Sequence, residues 1–320
     1  MAIDQIEDKE SLKDELDVEW FEREYLECFV DLSEKMERPE VLLSIGIYSY
    51  AGNNYPVPVM TAGEFSCISA PSKSKKSYLK SAFAAAYIGG KSLNYFEDIK
   101  GHRKEDFYII DCDTEQSKFY ASNTFARVEK ITGQKYEHYY PFKMRHLTPD
   151  KRVAFIDNLL RSTRFEEKVK IVFIDGVADL IEDSNDLVMS NYIAQKLLSW
   201  TDKYNIHVCI IIHNAYNTIK PTGHLGSSVV KKAESVILLE PEEENKEILK
   251  VSHLYSRGRS FQEFYFRIND QDALPYQCDE YGNIASSFIN FEKYVPLGNS
   301  NDAFDAPENI DPPVEDDVPF

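Results

Sequence analysis

The stretch "SCISAPSKSKKSYLKSAF" (66–83) passes from an apolar run begun at Phe65, through small and basic residues, into a helical pattern opening at Ser77. A phosphate cradle is built in that order: successive backbone N–H groups turn inward and a helix N-terminus stands behind them. The usual spacing is G-x-x-x-x-G-K-[ST]. Lys76 and Ser77 hold its last two places, while Ala70 and Lys75 stand where the glycines belong. Glycine matters there because the loop uses tight conformations that a Cβ crowds. Ala70 is the milder departure; Lys75 is larger, with a charge that can face an anion. Lys73, Lys75 and Lys76 beside a helix N-terminus cost about 0.3 kcal/mol or more unless an anion joins them. The competing reading is a solvated, lysine-rich helix start.

The chain has 320 residues, 43% of them apolar, enough to bury a sizeable core. No apolar run approaches the ~20 residues of a membrane span, and the charged, acidic N-terminus argues against a secretory signal. The five cysteines (28, 67, 112, 209 and 278) are scattered, with no C-x-x-C pair. They read as free thiols of a cytoplasmic protein without a zinc site. The net charge of −18 lies at the ends: residues 1–40 carry −10 and 301–320 carry −7. The nearly neutral middle leaves room for a local basic groove.

Residues 10–38 alternate acidic and apolar positions at helical spacing, through Leu16, Trp20, Tyr25, Leu26, Phe29 and Leu32. Such a helix packs on its own domain or on a neighbouring subunit. From 41 to 240, short apolar strands alternate with helices, which predicts an α/β fold with a mostly parallel sheet. The predicted strands are 65–69, 107–111, 143–147, 170–175, 207–212 and 235–240. Helices are expected from near Ser77, Ser117, Thr148, Asn185 and Ser227. Residues 248–268 read as an antiparallel edge hairpin. Beyond about 296 the chain is polar, acidic and Pro-rich, and is expected to be disordered. The expected organisation is an acidic helical segment (1–40), a core (41–295) and a tail (296–320).

"KIVFIDG" (170–176) ends a strand in Asp175, where a carboxylate can support magnesium beside a phosphate loop. Gly176 follows it, so a base must come from elsewhere. "IIDCDTEQ" offers Glu115 just past another strand's end, expected on the same face of the sheet. Either acid alone reads equally well as an ordinary strand-end carboxylate.

The ordered series "APSKSKKS", "IIDCDTEQ", "IVFIDG", "IIIHNAYNTIKPTGHLGSSVVKKAESVILL" and "YSRGR" resembles the RecA-like ATPases, in particular their hexameric-helicase and recombinase branch. A lysine in place of the second glycine resembles a K-S-x-K-[ST] loop variant of mobile-element and phage relatives. The resemblance covers roughly 41–270 and implies a RecA-like core with ATP and Mg²⁺ as ligands. It implies that the loop Ala70, Pro71, Ser72, Lys73, Ser74, Lys75, Lys76, Ser77 and Tyr78 binds nucleotide. Lys76 would sit on the β/γ-phosphates, Ser77 and Asp175 would hold the metal, and Glu115 would activate water. His213 would sense the γ-phosphate; its other reading is a satisfied core histidine. Arg257 and Arg259 would reach a neighbouring subunit's nucleotide, which implies a ring or filament of identical chains. Tyr216 and Lys220 would touch single-stranded DNA by stacking and charge, unless that loop is plain surface.

The last residues, "PPVEDDVPF", resemble the tip of bacterial single-stranded-DNA-binding proteins. That implies docking of Asp316, Asp317, Pro319 and Phe320 on replication or repair partners. The expected function is an ATP-hydrolysing helicase-like motor or recombinase on DNA. The alternatives are a non-hydrolysing nucleotide-binding adaptor and a scaffold whose core binds nothing.

Overall fold

The computed structural model describes residues 18–35, 38–50, 52–89, 95–105, 107–165, 168–216 and 218–284. The chain divides into two units, residues 1–38 and 39–320, and each is described by itself.

In the first unit, α1 (Val18–Cys28) carries an aromatic stripe at fourfold spacing. The Phe21, Tyr25 and Phe29 rings follow one another at 6.0 and 5.9 Å and are exposed. Residues 1–17 of the expected acidic segment lie outside the described residues.

The second unit begins with β1 (Val41–Tyr50) and β2 (Asn53–Thr61), then β3 (Phe65–Ala70), α2 (Lys76–Gly89), β4 (Ile99–Gly101) and β5 (Tyr108–Asp113). It continues with α3 (Lys118–Thr132), β6 (Tyr139–Lys143), α4 (Pro149–Arg161), β7 (Val169–Asp175), α5 (Leu187–Tyr204), β8 (His207–His213) and α6 (Gly223–Val230). The strands β9 (Ser235–Pro241), β10 (Leu249–Ser256), β11 (Phe264–Ile268) and β12 (Pro275–Cys278) follow.

Nine strands form one sheet in the order β12-β11-β10-β9-β3-β8-β7-β5-β6. The pairs from β9 to β6 are parallel, and β10, β11 and β12 extend the sheet antiparallel. This is the expected α/β architecture with its antiparallel edge. The central parallel strands β3, β5, β7 and β8 are buried on both faces, as near-continuous apolar runs require. Alternate residues of β3 supply two cores: Ile68 and Ala70 face the side of α2 and α3, Phe65 and Cys67 the side of α5 and α6.

Three expectations need correction. Residues 41–61 are an antiparallel hairpin, and with β4 they form a separate sheet in the order β2-β1-β4. Pro56 and Pro58 lie on its edge strand, where a missing N–H costs no ladder bond. That sheet packs Leu43, Ile45, Val59 and Met60 into the α2 side of the core. Gly101 allows the approach: a Cβ there would stand 2.1 Å from the Ala86 carbonyl oxygen. The strand placed at 143–147 is 139–143 instead, because Tyr139 pairs with Ile109 and the chain turns once Met144 is buried. The helix placed near Ser227 starts at Gly223 behind Thr222, and Gly226 lies so close to Pro221 that no side chain would fit.

Among the described residues no helix is long and apolar enough to cross a membrane. The described cysteines are free thiols, and all but Cys28 are buried.

Candidate nucleotide-binding site

Parallel strands end on one edge, so Ala70, Asp113, Asp175 and His213 meet there: Ala70 is paired with His213 and Asp113 with Asp175. Ligands of open α/β sheets bind at this carboxyl edge. The loop from Pro71 to Lys75 turns through two left-handed residues, Lys73 (φ 61°) and Lys75 (φ 57°). Ala70, at the first glycine place of the motif, is extended and fully buried, so it needs no glycine. Lys75, at the second, holds the conformation glycine would adopt without cost, and strain there is about 1–3 kcal/mol.

Lys76 opens α2 and turns back under the loop. Its Nζ donates to the Pro71 carbonyl oxygen at 2.9 Å and to Nδ1 of His213 at 2.8 Å. A ring nitrogen facing an ammonium must accept, so the His213 proton sits on Nε2. That nitrogen is 3.4 Å from Glu115 Oε1. Ser72 Oγ lies 3.3 Å from the same Nδ1. His213 therefore joins the loop lysine to the candidate base and is only partly buried, unlike a closed core histidine. Burial pulls the Lys76 ammonium down to about 8, opposed by the charges of Asp175 and Glu115. The hydrogen bond from His213 leads in holding the Glu115 carboxyl below its ordinary value, against burial.

Ser77 Oγ donates to Asp175 Oδ2 at 2.8 Å. Asp113, on the neighbouring strand, accepts the Glu115 and Gln116 backbone N–H groups on Oδ1 at 3.0 and 2.7 Å. Its Oδ2 is buried without a hydrogen-bond partner, and burial pushes this carboxyl up to about 6. A hydroxyl, a carboxylate and an orphaned carboxylate oxygen are hard oxygen donors of the kind magnesium takes, usually with phosphate and water completing its shell. No cluster of three or more His, Cys, Asp or Glu that could cage a metal alone occurs among the described residues. Gly176 (φ 97°) turns the chain after Asp175, and Thr114 Oγ1 locks that turn, lying 2.8 Å from both Asp175 O and Asp179 Oδ2 and donating its one proton between them.

Other expected site residues stand apart. Tyr78 is buried, with the Arg127 guanidinium 3.5 Å above its ring, so its side chain faces the core and not the loop. Arg257 binds Glu64 at 3.0 and 3.1 Å and the Lys232 carbonyl oxygen at 2.6 Å. Glu64 precedes β3, so Arg257 lies at the amino edge, opposite Lys76 of its own chain. Arg259 covers the Tyr48 ring at 4.4 Å. Tyr216 (91% exposed) and Lys220 stand on the loop after β8, closed at its base by an Asn214–Pro221 bridge. Asp316, Asp317, Pro319 and Phe320 lie outside the described residues, as does the whole tail from 296.

Sequence reasoning missed Lys80. It is fully buried on α2, donates to Asp111 Oδ1 at 2.7 Å and lies 3.5 Å from Asp175 Oδ2. Tyr139 donates to the other Asp111 oxygen at 2.6 Å. Burial disfavours the Lys80 charge, but Asp111 and Asp175 more than reverse this and hold it above the ordinary lysine range. The available signal was α2 itself: a helix apolar around nearly its whole girth is buried, and a lysine inside it needs an acid. Also missed were the exposed Leu187, Val188, Met189 and Tyr192 of α5. Leu225 N donates to Ser184 O at 3.0 Å, which fixes the segment before α5 beside the start of α6, just past the Tyr216 loop.

No family model matches the chain, and no curated protein sequence does. Among solved structures the chain is similar to the RadB recombinase, with 16% identity, a TM-score of 0.47, and coverage of 69% of this chain and 93% of that one. At that identity and TM-score the likeness decides nothing about function. The carboxyl-edge geometry has to carry it.

Proposed function

We propose that the chain is a RecA-like ATPase acting on single-stranded DNA. The observation that carries this reading is the linked set Lys76–His213–Glu115 beside Ser77–Asp175, assembled from the ends of four strands. Loop N–H groups and Lys76 receive the polyphosphate of ATP. Magnesium, when bound, would be held by Ser77 and Asp175, with Asp113 behind them, and would neutralise phosphate charge. Glu115 is placed to orient and deprotonate water, while His213 exchanges Lys76 for phosphate and so reports occupancy to the loop that begins at Asn214.

The exposed Tyr216 and Lys220 suit stacking on bases and contact with phosphates. Arg257 and Arg259 act on a second copy's nucleotide in this reading, since Arg257 lies at the far edge from its own. The assembly is then head to tail, a ring or filament. The terminal Asp316, Asp317, Pro319 and Phe320 dock replication or repair proteins.

The test is phosphate release with and without single-stranded DNA. Wild type is expected to turn over faster with DNA, and Lys76→Ala is expected to fall at least a hundredfold. Undiminished turnover in Lys76→Ala refutes the assignment.

Lys75 favours one alternative, an adaptor that holds nucleotide without hydrolysing it, because the strained lysine can tighten phosphate binding. Lys75→Gly removes about 1 kcal/mol of strain and loses a similar amount to unfolded-chain entropy. Its melting temperature should therefore change little, while nucleotide affinity drops about fivefold with the lost charge. An unchanged dissociation constant by titration calorimetry would show that Lys75 does not face the phosphates. Tight binding without turnover under saturating DNA would favour the adaptor.

A further inference from the structure

Lys80 lies one helical turn beyond Lys76 on α2, so both project from the same side of the helix. Their surroundings differ. Lys76 reaches the loop, whereas the Lys80 side chain is wholly shut from solvent between β5 and β7. A buried ammonium is costly unless it is paired and its hydrogen bonds are met. Here Asp111 supplies a direct bond at 2.7 Å, and Asp111 is in turn fixed by the Tyr139 hydroxyl. The third neighbour is Asp175, whose Oδ2 lies 3.5 Å from Lys80 and also accepts from Ser77. One carboxylate oxygen is thus gripped from the loop side by Ser77 and from the core side by Lys80.

We infer that Lys80, braced by Asp111 and Tyr139, is a positioning residue that sets the Asp175 carboxylate for magnesium. This rests on the phosphate-loop reading above and adds a requirement to it. Ion pairing with Asp111 alone would need no approach to Asp175. The approach brings a fixed positive charge to an edge where Asp111, Asp113 and Asp175 would otherwise repel one another and spread. Groups that orient a metal ligand from behind commonly change metal affinity by about 10- to 100-fold when removed. Lys76 handles phosphate and Lys80 handles the acid that meets the metal, so their losses should separate.

The experiment measures binding of a fluorescent ADP analogue to the full chain, first in EDTA and then at increasing Mg²⁺. Lys80→Met alone strands the Asp111 carboxylate in the core and is the harsher variant. Lys80→Met/Asp111→Leu/Tyr139→Phe removes the polar group as a unit, and its fold is checked by circular dichroism. The expected result is wild-type affinity in EDTA, with the Mg²⁺ concentration for half-maximal effect raised about tenfold or more. A lower melting temperature with a wild-type Mg²⁺ midpoint overturns the inference and leaves a purely structural ion pair. Lys76→Ala is the control for the underlying reading and should lose binding in EDTA as well. If the wild type binds no nucleotide in either buffer, the phosphate-loop reading fails and this inference falls with it.

Discussion

Glu115→Gln is expected to keep nucleotide bound while turnover falls about a hundred- to ten-thousandfold, the range for loss of a general base. The exchange preserves shape. Glu115 is held by its own backbone N–H on Asp113 Oδ1, and the amide oxygen of glutamine can still accept from His213 Nε2. What goes is the charge that takes a proton from water. Binding and kcat should therefore part company in this variant, whereas in Lys76→Ala they fall together. Phosphate release at wild-type rate by Glu115→Gln would remove it from the chemistry and leave Asp113, the nearest buried acid with a spare oxygen, as the candidate to test next.

Gly176→Ala should destabilise the protein strongly through a single added methyl group. Residue 176 has φ 97°, where a Cβ is strained, and the added carbon would stand 2.2 Å from Thr114 Oγ1. Thr114 cannot step aside cheaply, because that hydroxyl ties β5 to β7 through Asp175 O and ties Asp179 to the same turn. Left-handed strain and overpacking together amount to about 3 kcal/mol or more. At about 2 °C per kcal/mol or more, the melting temperature should drop by at least about 6 °C. Removing the obstacle in Gly176→Ala/Thr114→Ala should return part of the loss. A single variant as stable as wild type would mean that the turn after Asp175 accommodates a Cβ and that Thr114 does not lock it.

The alternation of short apolar strands with helices made the parallel sheet readable, because a strand buried on both faces must be nearly all apolar. The edge residues were readable for a related reason: a chain leaving a buried strand meets water at a defined place, so polar residues there stand out. Asp175 and Glu115 stand out that way, whereas His213 is singled out only by the family resemblance. The small antiparallel sheet was not, although Gly52, Asn53 and Asn54 are turn formers and Pro56 and Pro58 exclude a central strand. Its apolar residues repeat like those of the large sheet, and only long-range packing on α2 sets them apart. Lys80 escaped because a lysine three places past a serine looks like surface until its helix is known to be enclosed. Asp113 escaped because its spare oxygen is defined by what does not touch it, which no pattern of residues encodes.

The order of strands also governs when the protein can be born. β3 carries the loop, yet both its neighbours in the sheet, β8 and β9, come from residues 207–241. A nascent chain that has emerged only as far as β7 holds every acid of the site and the loop lysine, but β3 has no flank to lie against. Such distant pairing makes closure slow, since a long intervening segment must be restrained before any contact rewards it. Nucleotide added during refolding should therefore be captured only at the last step, which makes it a marker of finished molecules.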